Sequence, residues 1–322
     1  MTSPSDRSGA NPSASNPSAS NPSASNPSAT ALRARGAAAL ATAGIDAAAT
    51  DAGWLLAHVL GIEPGRLILA DDPTAAQAAA YDALIARRAE RIPLQHLTAE
   101  ASFAGVELAV GPGVFVPRPE TELLVEWAAR ACADVAEPGA AVRVVDLCSG
   151  SGALALAVAT AVPRAAMVAV ERSPSALDYL RRNAAAQPSS VADRVRVVAG
   201  DVTDPDVWAE LGVVDVIVCN PPYVPAAAPV SPEVAHDPAE AVFSGETGMD
   251  LIVELVPLLA EGLRPGGVVA LEHDDTTAAA TVDVFVADGR FTEVVGHRDL
   301  AGRPRYVTAR RADPATVQGW KP

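Results

Sequence analysis

The apolar positions change their rhythm along the chain. Over residues 31–91 they keep helical spacing, from Leu32 to Leu40, then Trp54, Leu55, Val59 and Leu60, then Tyr81, Leu84 and Ile85, with Gly36, Gly44, Gly61 and Pro64 as punctuation. This predicts a small helical domain over 31–93, with Trp54 and, later in the chain, Trp127 on helix core faces. Between Phe103 and Val116 the pattern alternates: Val106, Leu108 and Val110 precede a Gly111-Pro112-Gly113 turn, and Val114, Phe115 and Val116 follow it. A β-hairpin linker over 94–118 is expected from this. Pro117 to Glu122 then opens a helix, with proline near its first position and carboxylates in the first turn, where the helix dipole favours them.

From Val142 onward, short apolar runs alternate with helical stretches: Val142–Leu147, Ala166–Glu171, Val195–Asp201, Val213–Asn220 and Gly267–Glu272. Near-continuous valine and leucine marks strands buried on both faces, hence a mostly parallel sheet covered by helices. Phe291–His297 and Pro304–Arg310 follow with no helix between them, which predicts a terminal antiparallel hairpin. The expected fold class is therefore α/β, with a doubly wound domain over 119–311.

Composition narrows the picture. Alanine-rich stretches and only 4% aromatic residues favour helix over a sandwich. The 24 Lys+Arg against 39 Asp+Glu leave a net charge of -15, a field that repels polyanions and disfavours a nucleic-acid substrate. The 3 cysteines, Cys132, Cys148 and Cys219, are widely separated and indicate neither a disulfide framework nor a zinc site. No apolar run of about 18 residues and no charged-then-apolar leader is present, so a cytoplasmic protein with no membrane association is expected; a monomer is expected as well. From Asn11 the unit NPSAS recurs and its last copy ends at Thr30; residues 1–30 are expected to be disordered, and 312–322 to be a flexible tail.

The first candidate for chemistry is Asp146-Leu147-Cys148-Ser149-Gly150-Ser151-Gly152, a strand end leading into an apolar helix. Small residues admit a ligand close to the backbone, and the helix N-terminus supplies free N–H groups. Alone this is a weak signal, since a tight turn without a ligand looks the same. The second strand ends in Glu171, about twenty residues on, a spacing suited to a carboxylate gripping ribose hydroxyls, and the third ends in Gly200-Asp201. Asp146, Glu171 and Asp201 together describe a nucleoside pocket. They suit the sulfonium and ammonium of S-adenosylmethionine, whereas the missing third glycine of G-x-G-x-x-G ranks NAD lower.

The decisive element is Asn220-Pro221-Pro222-Tyr223 at the end of the fourth strand. Two prolines cannot extend a central strand, so the chain leaves the sheet there in a stiff, extended form. The Asn220 oxygen and the Pro221 carbonyl can each accept one N–H of a planar NH₂ group, and Tyr223 can pack on its flat face. An amide nitrogen is a poor nucleophile, so orientation in line with the methyl–sulfur bond supplies the catalysis and no strong base is needed. Glu272-His273-Asp274-Asp275 resembles a metal cluster, but consecutive residues at a strand end cannot all face one point, and no metal is expected.

With these residues in hand, the chain resembles the HemK-type bacterial protein-(glutamine-N5) methyltransferases that modify peptide chain release factors. The likeness runs from about Ala31 to Arg311 and is carried by Arg91–Leu97, Gly113–Glu126, Asn220–Pro225, Val234–Asp250 and Asp299–Val307. The resemblance implies a class I methyltransferase sheet and a helical domain that helps grip the release factor, with the glutamine of its Gly-Gly-Gln loop as target. It further implies that Cys148, Ser149, Gly150, Ser151 and Gly152 form the cofactor loop, that Glu171 takes the ribose, that Asp201 and Val202 flank the adenine, and that Asn220 to Tyr223 hold the glutamine, with Asn220 also among the cofactor-binding residues. Two departures stand out: Cys148 occupies a place that is often glycine, and His96 and Thr98 replace the commoner Tyr and Gly. A nucleic-acid amino-methyltransferase with a flipped adenine on Tyr223 remains an alternative. So does a catalytically silent nucleoside-binding module.

Overall fold

The computed structural model describes residues 27–135, 137 and 139–315. The N-terminal domain holds α1 (Ala29–Thr42), α2 (Ala48–Leu60), α3 (Ala75–Ala89) and the short α4 (Leu94–Thr98). Local chemistry sets their ends. Ser28 accepts the Ala31 N–H to cap α1, Thr74 and Gln77 form a reciprocal capping box on α3, and Gly61 closes α2 in the left-handed region. These helices bury their own core, built from Leu32, Leu40, Leu55, Leu56, Tyr81 and Ile85.

Several expectations for this half are corrected. Helix α1 already begins at Ala29, because Ser28 supplies the cap and Ala29 is buried; of the expected 1–30 tail, residues 1–26 lie outside the described residues. Gly36 is mid-helix rather than punctuation: a Cβ there would overlap the Tyr81 hydroxyl, so glycine permits α1 and α3 to touch. Trp54 is 47% exposed, since the inward face of α2 is filled by Leu55, Leu56 and Ala52.

The linker also differs from its expected form. Leu94–Thr98 is helical, and the hairpin pairs β1 (Glu100–Phe103) with β2 (Val106–Ala109) around a two-residue turn at Ala104 and Gly105, both with positive φ. No strand forms over 114–116. The Val116 N–H goes to Asp237 Oδ1 at 3.1 Å instead of a ladder, while Val114 and Val116 still bury their side chains.

After a 3-10 turn at Pro119–Thr121 comes α5 (Glu122–Val135) and then the main sheet. Its strands are β3 (Val142–Leu147), β4 (Ala165–Glu171), β5 (Val195–Ala199), β6 (Val214–Cys219), β7 (Leu263–Glu272), β8 (Phe291–Arg298) and β9 (Pro304–Arg311). The order is β5-β4-β3-β6-β7-β9-β8, parallel through β7 and antiparallel at β9 and β8, as the buried runs and the helix-free end required. The connecting helices are α6 (Ala153–Ala161), α7 (Pro174–Ala186), α8 (Ser189–Ala192), α9 (Pro205–Leu211), α10 (Ala239–Val242), α11 (Asp250–Gly262) and α12 (Ala278–Asp288). One face of the sheet packs on α5, α6 and α7, and the other on α9, α11 and α12, giving two cores that share the sheet. The chain does not loosen at 312: Ala312 is buried and its N–H reaches Arg290 O at 2.9 Å, while residues 316–322 lie outside the described residues. Among the described residues, no helix is long and apolar enough to cross a membrane.

The two halves meet through charge. Arg88 reaches Asp51 at 2.7 Å and Glu233 at 3.1 Å, and Arg91 reaches the other Glu233 oxygen at 2.9 Å. Glu233 belongs to the segment after β6, so the helical domain is tied directly to a wall of the crevice described next.

Candidate functional site

The switch in strand order between β3 and β6 opens a crevice at the carboxyl edge of the sheet, where ligands bind in doubly wound folds. Asp146, Cys148, Ser149, Gly150, Ser151, Glu171, Asp201, Val202, Asn220, Pro221, Pro222 and Tyr223 all line it, so residues far apart in sequence are brought together. Gly152 lies behind the loop. Its missing side chain leaves room for Leu180, which lets α6 approach α7.

The loop after β3 is wound tightly. Ser149 donates its N–H to Val170 O and its hydroxyl to Asp146 O, and Gly152 N–H closes on Ser149 O at 2.8 Å. Cys148, Gly150 and Gly152 all have positive φ. The cysteine thus holds a backbone conformation that glycine adopts more readily, which explains why the resemblance expects glycine there.

Two carboxylates frame this loop differently. Glu171 is buried and accepts three backbone donors: Oε2 accepts Gly150 N–H at 2.7 Å, and Oε1 accepts those of Arg172 and Ser173 at 2.8 Å each. Asp146 is completely buried, with Oδ2 on the Ala155 N–H at 3.1 Å and Oδ1 without a hydrogen-bond partner. Burial pushes its pKa up to about 7, against the pull of the nearby Ser149 hydroxyl and of the Ala155 N–H. Asp201 sits at the rim, its pKa held low by hydrogen bonds from Thr203 and Arg172 that outweigh partial burial.

Across the crevice, Asn220 to Tyr223 leaves β6 and is held straight by a short parallel ladder. Val224 N–H donates to Val242 O, Ser244 N–H to Val224 O, and Ala226 N–H to Gly245 O. Gly248 packs against the Tyr223 carbonyl so closely that a Cβ there would overlap it. The Asn220 Nδ2 donates to Thr121 Oγ1 at 3.2 Å, Thr121 donates to Glu272 Oε2 at 2.8 Å, and the Tyr223 hydroxyl donates to Glu272 Oε1 at 2.7 Å.

Thr121 and Glu272 were not foreseen as site residues. Glu272 ends β7 beside β6, with Leu271 in register with Cys219, and this strand-end position was the available signal. The residues that follow it are not gathered with it: His273 turns its Nδ1 to Asp274 O at 2.8 Å, and Asp274 Oδ1 accepts the Thr276 N–H at 2.9 Å. Further lining comes from Phe103, Phe115, Arg118 and Val230, contributed by the linker and by the segment after β6.

Comparison with known proteins follows the same division. Residues 31–98 match the family model described as the PrmC N-terminal domain, and residues 106–238 match that of the methyltransferase small domain. The release factor glutamine methyltransferase of Mycolicibacterium smegmatis is 54% identical over 265 residues, covering 81% of this chain and 90% of that protein. The Streptomyces coelicolor protein of the same description is 46% identical over 272 residues, covering 82% and 92%. Among solved structures, the hMettl16 catalytic domain in complex with the MAT2A 3'UTR hairpin 6 has a TM-score of 0.51 at 14% identity, covering 73% of this chain and 84% of that one, a likeness of fold.

Proposed function

This chain belongs to the release factor glutamine methyltransferase family, and we propose that its crevice moves a methyl group from S-adenosylmethionine to the side-chain amide N5 of a glutamine. The target is the glutamine of the Gly-Gly-Gln loop of peptide chain release factors. One observation carries this reading: the stiff Asn220-Pro221-Pro222-Tyr223 turn and the loop from Asp146 to Ser151 line the same crevice.

The residues present fit the methyl donor. Asp146 Oδ1 is a buried carboxylate oxygen with no partner, which calls for a cation, and the methionine end of the donor carries an ammonium group. Glu171 keeps acceptor capacity after its backbone bonds, enough for a ribose hydroxyl. Cys148, Ser149, Gly150 and Ser151 shape the loop around it, and Asp201 with Val202 border the adenine. When bound, the donor supplies a methyl group on a positively charged sulfur, which breaks its bond to that sulfur as the nitrogen–carbon bond forms.

Everything else is positioning by this chain. Asn220 Oδ1 and the Pro221 carbonyl accept the two N–H groups of the glutamine amide, and Tyr223 and Pro222 wall its flat face. Holding the weakly nucleophilic nitrogen in line is worth several kcal/mol, on the order of what orientation supplies in enzymes generally. The surplus proton leaves to water once nitrogen has become cationic, so no buried base is required.

The substrate is a protein rather than a nucleic acid, in keeping with a net charge of -15. The enzyme acts as a monomer in the cytoplasm, where release factors work. Incubation of purified release factor with the enzyme and isotope-labelled donor, followed by peptide mass spectrometry, tests the assignment. One added methyl on the Gly-Gly-Gln glutamine is expected. Label confined to another residue, or to co-purified nucleic acid, would refute it.

A further inference from the structure

We propose that Thr121 and Glu272 are positioning residues that lock the Asn220 carboxamide with its oxygen toward the crevice, so that the site accepts an amide and refuses a carboxylate. The inference rests on the reading of Asn220 as the group that holds the target nitrogen.

A threonine hydroxyl has one hydrogen and spare lone pairs. Thr121 commits that hydrogen to Glu272 Oε2 at 2.8 Å, so toward Asn220 it offers only lone pairs. The Asn220 Nδ2 group satisfies them at 3.2 Å. A flipped carboxamide would bring Oδ1 against an oxygen with no hydrogen to give, exchanging an attraction for a repulsion in a buried place. The Asn220 oxygen is therefore left on the crevice side.

Glu272 is the anchor of this arrangement. It is 1% exposed, and both of its oxygens receive hydroxyl donors, from Thr121 and Tyr223, as an ionised carboxylate requires. Burial raises its pKa, while those two donors and the positive charge of Arg305 favour the ionised form. One carboxylate thereby fixes the amide of Asn220 and the phenol of Tyr223 together. The elements cooperate: Thr121 sits in the turn before α5, Glu272 ends β7, and Asn220 follows β6, which pairs with β7 up to Cys219 and Leu271.

The consequence is selectivity. Glutamine and glutamate have nearly the same shape, but two fixed acceptors, Asn220 Oδ1 and the Pro221 carbonyl, welcome an NH₂ group and oppose carboxylate oxygens. A freely turning Asn220 could present its own NH₂ to a carboxylate and lose this discrimination.

The test uses Thr121→Val, which keeps shape without the hydroxyl, with Thr121→Ser as rescue, all in the full chain. The readouts are kcat and KM on purified release factor, cofactor affinity by titration calorimetry, and binding of the release factor against its glutamine-to-glutamate variant. A fourth readout needs no turnover: solvent exchange of the Asn220 side-chain NH₂ by nuclear magnetic resonance, assigned by comparison with Asn220→Ser. Thr121→Val is expected to lower kcat by about tenfold or more, to leave cofactor affinity within about threefold, to erase the glutamine preference and to speed NH₂ exchange. Thr121→Ser should recover most of each.

Unchanged NH₂ exchange in Thr121→Val, or equal damage in the valine and serine variants, would overturn the proposal. If the wild type shows slow, Thr121-dependent exchange yet fails to methylate the release factor, the lock stands and the assigned substrate falls.

Discussion

Asp146 Oδ2 accepts the Ala155 N–H at 3.1 Å, which fastens one oxygen of a fully buried carboxylate to the first turn of α6 and leaves the other turned to no partner. The folded protein holds this carboxyl near pH 7 through burial, whereas an unfolded chain titrates it near 3.8. Between those values the folded state keeps a proton that the unfolded state has lost. Its contribution to the stability of the cofactor-free protein therefore falls as pH rises from about 4 to about 7, and is flat above. Cofactor binding has the opposite sign, because a cation prefers the ionised form. Affinity measured by titration calorimetry should rise as pH increases toward about 7, by at most about tenfold per unit, and flatten just above it. Asp146→Asn should weaken binding and flatten that profile; an Asn variant that keeps the slope would remove Asp146 from the interaction.

Asn220 and Glu171 stand on opposite walls and should separate binding from transfer. Asn220→Ala removes an acceptor for the reacting amide but touches no part of the loop after β3, so methyl transfer should be lost while cofactor affinity falls only modestly. Glu171→Ala should weaken cofactor binding by about 1–3 kcal/mol, the cost of stranding hydrogen-bond partners. It also leaves the N–H groups of Gly150, Arg172 and Ser173 without their acceptor, so the melting temperature should fall with it. Radiolabelled methyl transfer beside calorimetry distinguishes the two. Wild-type turnover in Asn220→Ala, or unchanged affinity in Glu171→Ala, would contradict the assigned roles.

Much of this arrangement is legible in the sequence because it rests on local signals. The runs Val142–Leu147 and Val214–Cys219 are apolar but for Arg143, Asp146 and Asp215, a density that fits strands covered on both faces, and the two prolines after Asn220 can only end a strand. What escapes is what depends on distance or on absent side chains. Thr121 and Glu272 meet across 151 residues, and nothing in the neighbourhood of either announces the other. Ala104 takes a left-handed turn that glycine or asparagine would have advertised, so the hairpin is displaced from its expected place at Gly111. Gly36 reads as a break, yet it is an accommodation for Tyr81 on another helix.

Gly248 is the sharpest test of whether the Tyr223 backbone must stay where it is. Its φ of +77 already disfavours any other residue, and a Cβ would overlap the Tyr223 carbonyl oxygen and crowd Pro225. Backbone cannot yield as a flexible side chain does, so Gly248→Ala should push the Asn220–Tyr223 turn inward. A loss of kcat of about a hundredfold is reasonable for a displacement near 1 Å at the reacting centre. Cofactor affinity should change little, because the loop after β3 lies on the other wall. Activity close to wild type would mean that the turn is not held rigidly by this contact.

The junction between the domains offers a stability test with a definite asymmetry. Arg88 is 7% exposed and serves Asp51 at 2.7 Å and Glu233 at 3.1 Å, while its Nη1 also donates to Ile92 O at 3.2 Å. Arg88→Met keeps the apolar stem but strands the buried Asp51 carboxylate, and removing one member of such a pair typically costs about 3–5 kcal/mol. Glu233 retains Arg91, so it suffers less. The double variant Arg88→Met/Asp51→Leu removes the stranded charge as well and should recover a large part of the loss, since well-packed apolar replacements of buried ion pairs are often neutral. Urea unfolding followed by circular dichroism measures both. Because Glu233 lies on the segment that lines the crevice, the double variant should also raise KM for the release factor even where stability returns; a KM equal to wild type would show that the ion pair holds the domains together without setting the crevice wall.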